Sequence, residues 1–290
     1  MARLFSIPGS KTLNGLIDPA DLAGRLELSN LRIFDTRFSL QNVDEGRELY
    51  SQEHIPGAIY ADLEKDLSGE IIAGRTGRHP LPPLDDFIAR LQHWGITEST
   101  QIVIYDEGSH AMASRLWWML AVWLGHKHVS IVHGGLASWK DLGLPVTRLV
   151  PEYLPSTYAP VCDDTATVTT QDVFSSLGSL GVCLLDARGE ARFRGEEEPI
   201  DTVAGHIPGA FCLPFAENLD GSSRFLDKDR LNDRFAFCQD KQVICYCGSG
   251  VTACHNIFAM YLVGMKMPKL YSGSWSEWIL DHDLPVATGQ

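Results

Sequence analysis

The residues with the clearest chemistry lie in Val243-Ile-Cys-Tyr-Cys247-Gly-Ser-Gly-Val-Thr-Ala-Cys-His255. Val243 to Tyr246 are apolar, β-branched or aromatic, as in a buried strand. From about Val251 onward, Cys254, Ile257, Phe258, Tyr261 and Leu262 share one face of a helix. Cys247 therefore stands where a strand passes into a helix, in a loop with two glycines. Gly248 and Gly250 permit a tight turn with amide N–H groups directed inward, and the helix start adds partial positive charge. Such a place favours an anion, and the nucleophilic form of cysteine is its anion. A phosphatase loop of the form Cys-x5-Arg cradles an anion in the same way, but position 253 is alanine. Cys245, Cys247, Cys254 and His255 lack the spacing of a common zinc site, so no metal is expected.

The run from Cys247 to Thr252, with Ala253, resembles the active-site loop of the rhodanese superfamily of sulfurtransferases. Within that superfamily, Cys-Gly-Ser-Gly-Val-Thr-Ala is similar to the loop of 3-mercaptopyruvate sulfurtransferases. The sister thiosulfate sulfurtransferases typically carry basic residues directly after the cysteine, where this chain has Gly248 and Ser249. The resemblance implies an enzyme in which Cys247 accepts sulfur from a small anionic donor as a persulfide. A thiol, thioredoxin or cyanide would then remove it, with no cofactor. Gly248, Ser249, Gly250, Val251 and Thr252 would bind the substrate through the loop, and Arg192 matches an arginine that holds the substrate carboxylate. A guanidinium offers a planar two-point match to that group. Ser249 would pass a proton with a histidine and an aspartate of the other half, which map onto His54 and Asp44. The family's second substrate arginine sits in a Pro-Arg stretch before the second His-Ile-Pro-Gly. Here that stretch reads Glu198-Pro-Ile200-Asp201, with isoleucine at the place of the arginine. Three readings stay open: mercaptopyruvate as donor, thiosulfate as donor, and a sulfur relay to a protein partner.

The elements that must position these residues occur twice. Leu31-Arg-Ile-Phe-Asp35-Thr-Arg37 answers Val182-Cys-Leu-Leu-Asp186-Ala-Arg188, and His54-Ile-Pro-Gly answers His206-Ile-Pro-Gly. Ile102-Val-Ile-Tyr105 answers Val243-Ile-Cys-Tyr246, which sets Asp106 where the second copy has Cys247. A carboxylate cannot take up sulfur, so the first copy should be silent and serve to wall the site of the second. Asp35 with Arg37, and Asp186 with Arg188, read as structural ion pairs. Each half alternates short apolar strands with amphipathic helices, which predicts an α/β fold of two tandem rhodanese-like domains, each a mainly parallel sheet flanked by helices. The expected division is a non-catalytic domain over 11–146, a proline-containing linker over 147–165 and a catalytic domain over 166–288.

With 290 residues, 44% hydrophobic, the chain has material for two packed cores. A net charge of −13 argues against nucleic acid or an anionic membrane surface as partner. Met1 to Leu16 lacks the apolar stretch of an export signal, and no run approaches the ~20 apolar residues of a membrane span. The longest apolar run, Leu116 to Leu124, reads as a core helix. Seven cysteines without an export signal suggest reduced thiols and a cytoplasmic location.

Overall fold

The computed structural model describes residues 15–289. The expected start of the first domain at residue 11 lies outside the described residues. The first half contains strands β1 (Leu16–Ile17), β2 (Leu31–Asp35), β3 (Ala58–Tyr60), β4 (Gln101–Tyr105) and β5 (Val129–Val132). The second contains β6 (Thr167–Val168), β7 (Val182–Asp186), β8 (Phe211–Cys212), β9 (Gln242–Tyr246) and β10 (Lys269–Tyr271). The two five-stranded sheets share one order, β1-β5-β4-β2-β3 and β6-β10-β9-β7-β8, so the sequence repeat is a repeat of topology. Neighbouring strands pair parallel in both. β4 and β9 lie inside their sheets with helices on either side, which is why they read as unbroken apolar runs rather than alternating ones.

Register then places the chemistry. Asp35 lies beside Tyr105 and Asp186 beside Tyr246, at the carboxyl ends of the strands, where loops of such sheets hold their ligands. Each aspartate takes a two-point grip from the arginine two residues on, with closest N–O distances of 2.7 Å in both halves. The Tyr105 hydroxyl donates to Asp35 at 2.8 Å and accepts the Ile55 N–H at 3.2 Å. Tyr246 accepts the Ile207 N–H at the same distance. Each His-Ile-Pro-Gly turn is thus tied to the strand that precedes its nucleophile position.

The core departs from two separate units. The helix Ala253–Val263 starts two residues later than the sequence pattern suggested, and nearly every face of it is buried. One face packs on its own sheet and another on the helix Ala111–Trp117 of the first half, where the Trp117 ring lies 4.6 Å from Phe258 and 5.0 Å from Tyr261. One hydrophobic cluster therefore runs from Phe34 and Leu116 through to Phe235, Ile257 and Leu270, while two smaller clusters line the outer faces of the sheets. The apolar run continues the Ala111–Trp117 helix into a π-helical stretch, Trp118–Trp123. No helix of the described residues is long and apolar enough to cross a membrane. Between the halves the chain follows the first one. Tyr153 donates to the Gly57 carbonyl at 3.0 Å with Arg32 stacked on its ring at 3.7 Å, and Tyr158 meets His126 at 3.0 Å.

Candidate active site

Cys247 follows β9 directly. Its N–H donates to Ser274 Oγ at 3.1 Å, and its carbonyl accepts the Trp275 N–H at 3.0 Å. The Gly248 carbonyl accepts from the Ser276 N–H at 2.9 Å, so the loop rests on the start of the helix Ser274–Trp278. Gly250 has φ +79 and its α-carbon faces the Ser272 backbone so closely that no side chain fits. That turn aims the Gly250 N–H at Cys247 Sγ, 3.2 Å away. Among the described residues it is the one loop amide that donates to the sulfur, where the sequence suggested several. Cys247 is only 2% exposed. Its access is a cavity of about 320 Å³ between the halves, lined also by Gly248, Ser249, Val251 and Thr252.

The first half closes that cavity with a loop before the helix Leu84–His93, carrying Arg78 and His79. His79 Nδ1 lies 2.7 Å from Ser249 Oγ. Burial, with the charges of Arg115 and Arg78 nearby, pushes His79 down to about 3, so the ring is neutral at neutral pH. Arg115, fully buried in the helix Ala111–Trp117, donates to the carbonyls of Gly250 at 3.1 Å, His79 at 3.2 Å and Leu67 at 3.3 Å. One guanidinium thereby fixes the loop of Cys247 against the loop that carries His79.

A second group of charges faces Gly248. Arg192, at the end of the cavity, is held by Glu198 at 2.8 Å and Asp201 at 3.0 Å. Asp201 also pairs with Arg78. Arg188 is spent on Asp186, on the Gly205 carbonyl at 2.6 Å and on the face of Trp275 at 4.8 Å, the structural role its Asp-x-Arg pattern predicted. Ile200 is on the cavity wall.

The structure brings Cys247, the loop residues 248–252 and Arg192 together, but not His54 or Asp44. His54 is buried against its own half, stacked on Tyr50 at 4.0 Å, with ring nitrogens 2.7 and 3.1 Å from the carbonyls of Tyr50 and Leu149. His206 repeats this on Phe193, at 3.6 Å, with Nδ1 2.7 Å from the Phe193 carbonyl. Asp44 is exposed at the start of the helix Glu45–Gln52. The histidine that meets Ser249 is His79, and neither it nor Arg78 was singled out from sequence. The available signal was Gly77-Arg78-His79-Pro80, a basic pair in a Gly- and Pro-containing loop that the repeat does not copy.

In the first half, Asp106 fills its own cradle. One carboxylate oxygen accepts the N–H groups of Gly108 and His110, both at 2.9 Å; the other accepts those of Met112 at 3.2 Å and Ala113 at 3.4 Å. Replacing it by alanine should cost about 1–3 kcal/mol of stability, since buried donors lose their acceptor. Sulfur transfer per folded molecule should stay within a few-fold of wild type. A denaturation curve and a rate measurement check both, and a rate loss as deep as that of a Cys247 variant would show that the halves share one reaction centre.

Acid should weaken the whole assembly. Burial lowers His110, His126 and His255, takes His133 to about 4, and takes His79 to about 3. In the unfolded chain each titrates near ~6.5, so between that pH and the folded value the unfolded state binds more protons. The contribution of these histidines to stability is therefore complete above about pH 6.5 and falls as the pH drops below it, by up to ~1.4 kcal/mol per pH unit for each. It is opposed by the carboxyls of Asp35, Asp66, Glu107 and Asp201, which desolvation shifts upward. The melting temperature should decline steeply from pH 6.5 to 5, and a level profile over that range would contradict the neutral, buried state of these rings.

Comparison with known proteins gives one consistent picture. A family model for the rhodanese-like domain matches twice, over residues 18–142 and 169–281. A probable 3-mercaptopyruvate sulfurtransferase of Pseudomonas aeruginosa is 47% identical over 279 residues, covering 94% of this chain and 98% of that protein. A thiosulfate sulfurtransferase of Cricetulus griseus is 33% identical, covering 89% and 87%. Among solved structures, that of a 3-mercaptopyruvate sulfurtransferase from Escherichia coli superposes with a TM-score of 0.79 at 30% identity, covering 91% of this chain and 99% of that one.

Proposed function

Since the chain belongs to the rhodanese family, with two copies of its domain in tandem, we propose that it works as a 3-mercaptopyruvate sulfurtransferase. The reaction is assigned to the second domain, 166–288, with 11–146 as its wall and 147–165 as the link. The Cys247 thiolate attacks the sulfur of the donor. The S–S bond forms as the bond from sulfur to C3 breaks, and its electron pair leaves as the pyruvate enolate. That carbon must gain a proton. Ser249, on the cavity wall, is placed to deliver one, and neutral His79 behind it hydrogen-bonds and orients the hydroxyl. The proton that the donor's own thiol sheds, once its sulfur has become the outer atom of the persulfide, replaces the one Ser249 gives. The Gly250 N–H supports negative charge on the sulfur, and Arg192 takes the substrate carboxylate. In the second half-reaction a thiol, a thioredoxin or cyanide attacks the outer sulfur, and the electron pair of the broken S–S bond returns to Cys247. These acceptors fit a cytoplasmic setting.

The observation that carries this reading is the 2.7 Å contact of Ser249 with His79 beside the nucleophile. Thiosulfate, the runner-up donor and the one named by the hamster relative, would leave sulfite, which needs no proton on carbon. The test is intact-mass spectrometry of the reduced protein after exposure to each donor. Mercaptopyruvate should add the mass of one sulfur atom at Cys247 and release pyruvate in equal amount. Loading by thiosulfate alone would replace this reading with the runner-up.

A further inference from the structure

The missing arginine at position 200 leaves the donor carboxylate with one cation from the second domain. The first domain supplies another. A Cβ placed on Gly248 would lie 2.7 Å from Arg78 Nη2 and 3.7 Å from both Nη1 and Nη2 of Arg192. Two guanidiniums from opposite halves therefore converge over Gly248, the residue next to Cys247. Asp201 already spans the pair, with one oxygen on Arg78 and the other 3.0 Å from Arg192 Nη2. The spacing of the two cations thus accepts a carboxylate. Arg78 Nε is buried with no protein acceptor among the described residues, while part of the side chain, 26% exposed, lines the cavity. Its backbone is fixed, because the Arg78 N–H donates to Ser276 Oγ at 3.1 Å across the interface.

A loop of the second half that also reaches across the interface offers a contrast. Arg224 reaches the first half near Gly134, but spends its charge on Asp18 and His133, each at 2.9 Å. Of the two exchanged arginines, only Arg78 faces a cavity with a nucleophile.

We propose that Arg78 is the second carboxylate-binding cation of this active site, supplied in place of the arginine that Ile200 displaces. The inference rests on mercaptopyruvate being the donor. It makes the first domain a part of substrate recognition. A hydrogen bond to a charged group is typically worth a factor of roughly 10 to 150 in affinity. Asp201 competes for Arg78 and water reaches part of it, so the low end, about tenfold, is the expectation.

The test compares Cys247 loading by mercaptopyruvate with loading by mercaptoacetone, which keeps the thiol and the ketone but has a methyl group for the carboxylate. In Arg78→Ala, half-saturation by mercaptopyruvate should rise about tenfold with the maximal rate within a few-fold, and half-saturation by mercaptoacetone should not move. Arg78→Lys should recover part of the loss. The ratio of the two half-saturation values does not depend on how much protein is folded, so a weakened variant still reports. If mercaptoacetone does not load the wild type, the inhibition constant of pyruvate reads the same contact and should rise about tenfold. Equal changes for both donors, or none, would overturn the proposal and leave Arg78 as an interdomain tie to Asp201. Failure of the wild type to load with mercaptopyruvate would instead sink the donor assignment on which the proposal stands.

Discussion

Cys247→Ser is expected to abolish sulfur transfer from either donor while the protein still folds. An alcohol does not ionise near neutral pH, and oxygen in that place cannot form the S–S bond through which the sulfur passes. The local structure does not depend on the sulfur. The residue is anchored by its backbone, through its N–H to Ser274 and its carbonyl to the Trp275 N–H, and the exchange shortens the side chain by little. Turnover assays and intact mass after donor exposure check this, and substantial turnover by the variant with either donor would remove Cys247 from its assigned role.

The next largest effect is expected at the Ser249–His79 pair. General acid–base help of this kind is worth about 10²- to 10⁴-fold, so Ser249→Ala and His79→Ala should each lower kcat for mercaptopyruvate by that order. Thiosulfate turnover should change only a few-fold, because its leaving group is already a stable anion. The two variants should not add, since they remove one proton path. His54→Ala supplies the contrast. It should cost stability, by breaking the stack on Tyr50 and the contacts to two carbonyls, but keep the kcat of the folded fraction. Steady-state kinetics on all three variants with both donors decides the matter. A loss at His54→Ala as deep as at His79→Ala would restore the histidine that sequence alone preferred.

That exchange of histidines marks where sequence stops being readable. The strands, the loop of Cys247 and the ion pairs of Asp35 and Asp186 are local features. Apolar runs, glycines and an Asp-x-Arg spacing report them within a few residues, and the repeat states each of them twice. His79 meets Ser249 across 170 residues of chain, by way of a loop with no periodicity. Its placement depends on how two helices pack and on Arg115 holding both loops, which no local pattern records. His54 enters through the resemblance, which implies a histidine from the other half, and its motif occurs in both halves. Its copy at His206 stacks on Phe193 and meets the Phe193 carbonyl as His54 does with Tyr50, an arrangement that a turn-forming role explains in both halves. The extent of burial around the helix Ala253–Val263 was also out of reach, because part of it comes from the helix Ala111–Trp117 of the other half.

The hydrophobic cluster that crosses the interface has a consequence for how such a chain can be divided. A silent copy of a domain looks expendable, yet removing this one would strip Trp117 from Phe258 and Tyr261 and open the nearly all-apolar helix behind Cys247 to water. Arg115, His79 and Arg78 would leave with it. A free-standing protein made from the second domain would need polar residues at positions such as Ile257 and Phe258, and a proton carrier of its own. The two halves are therefore parts of one core, and a cut at the linker would divide a single hydrophobic cluster rather than separate two finished domains.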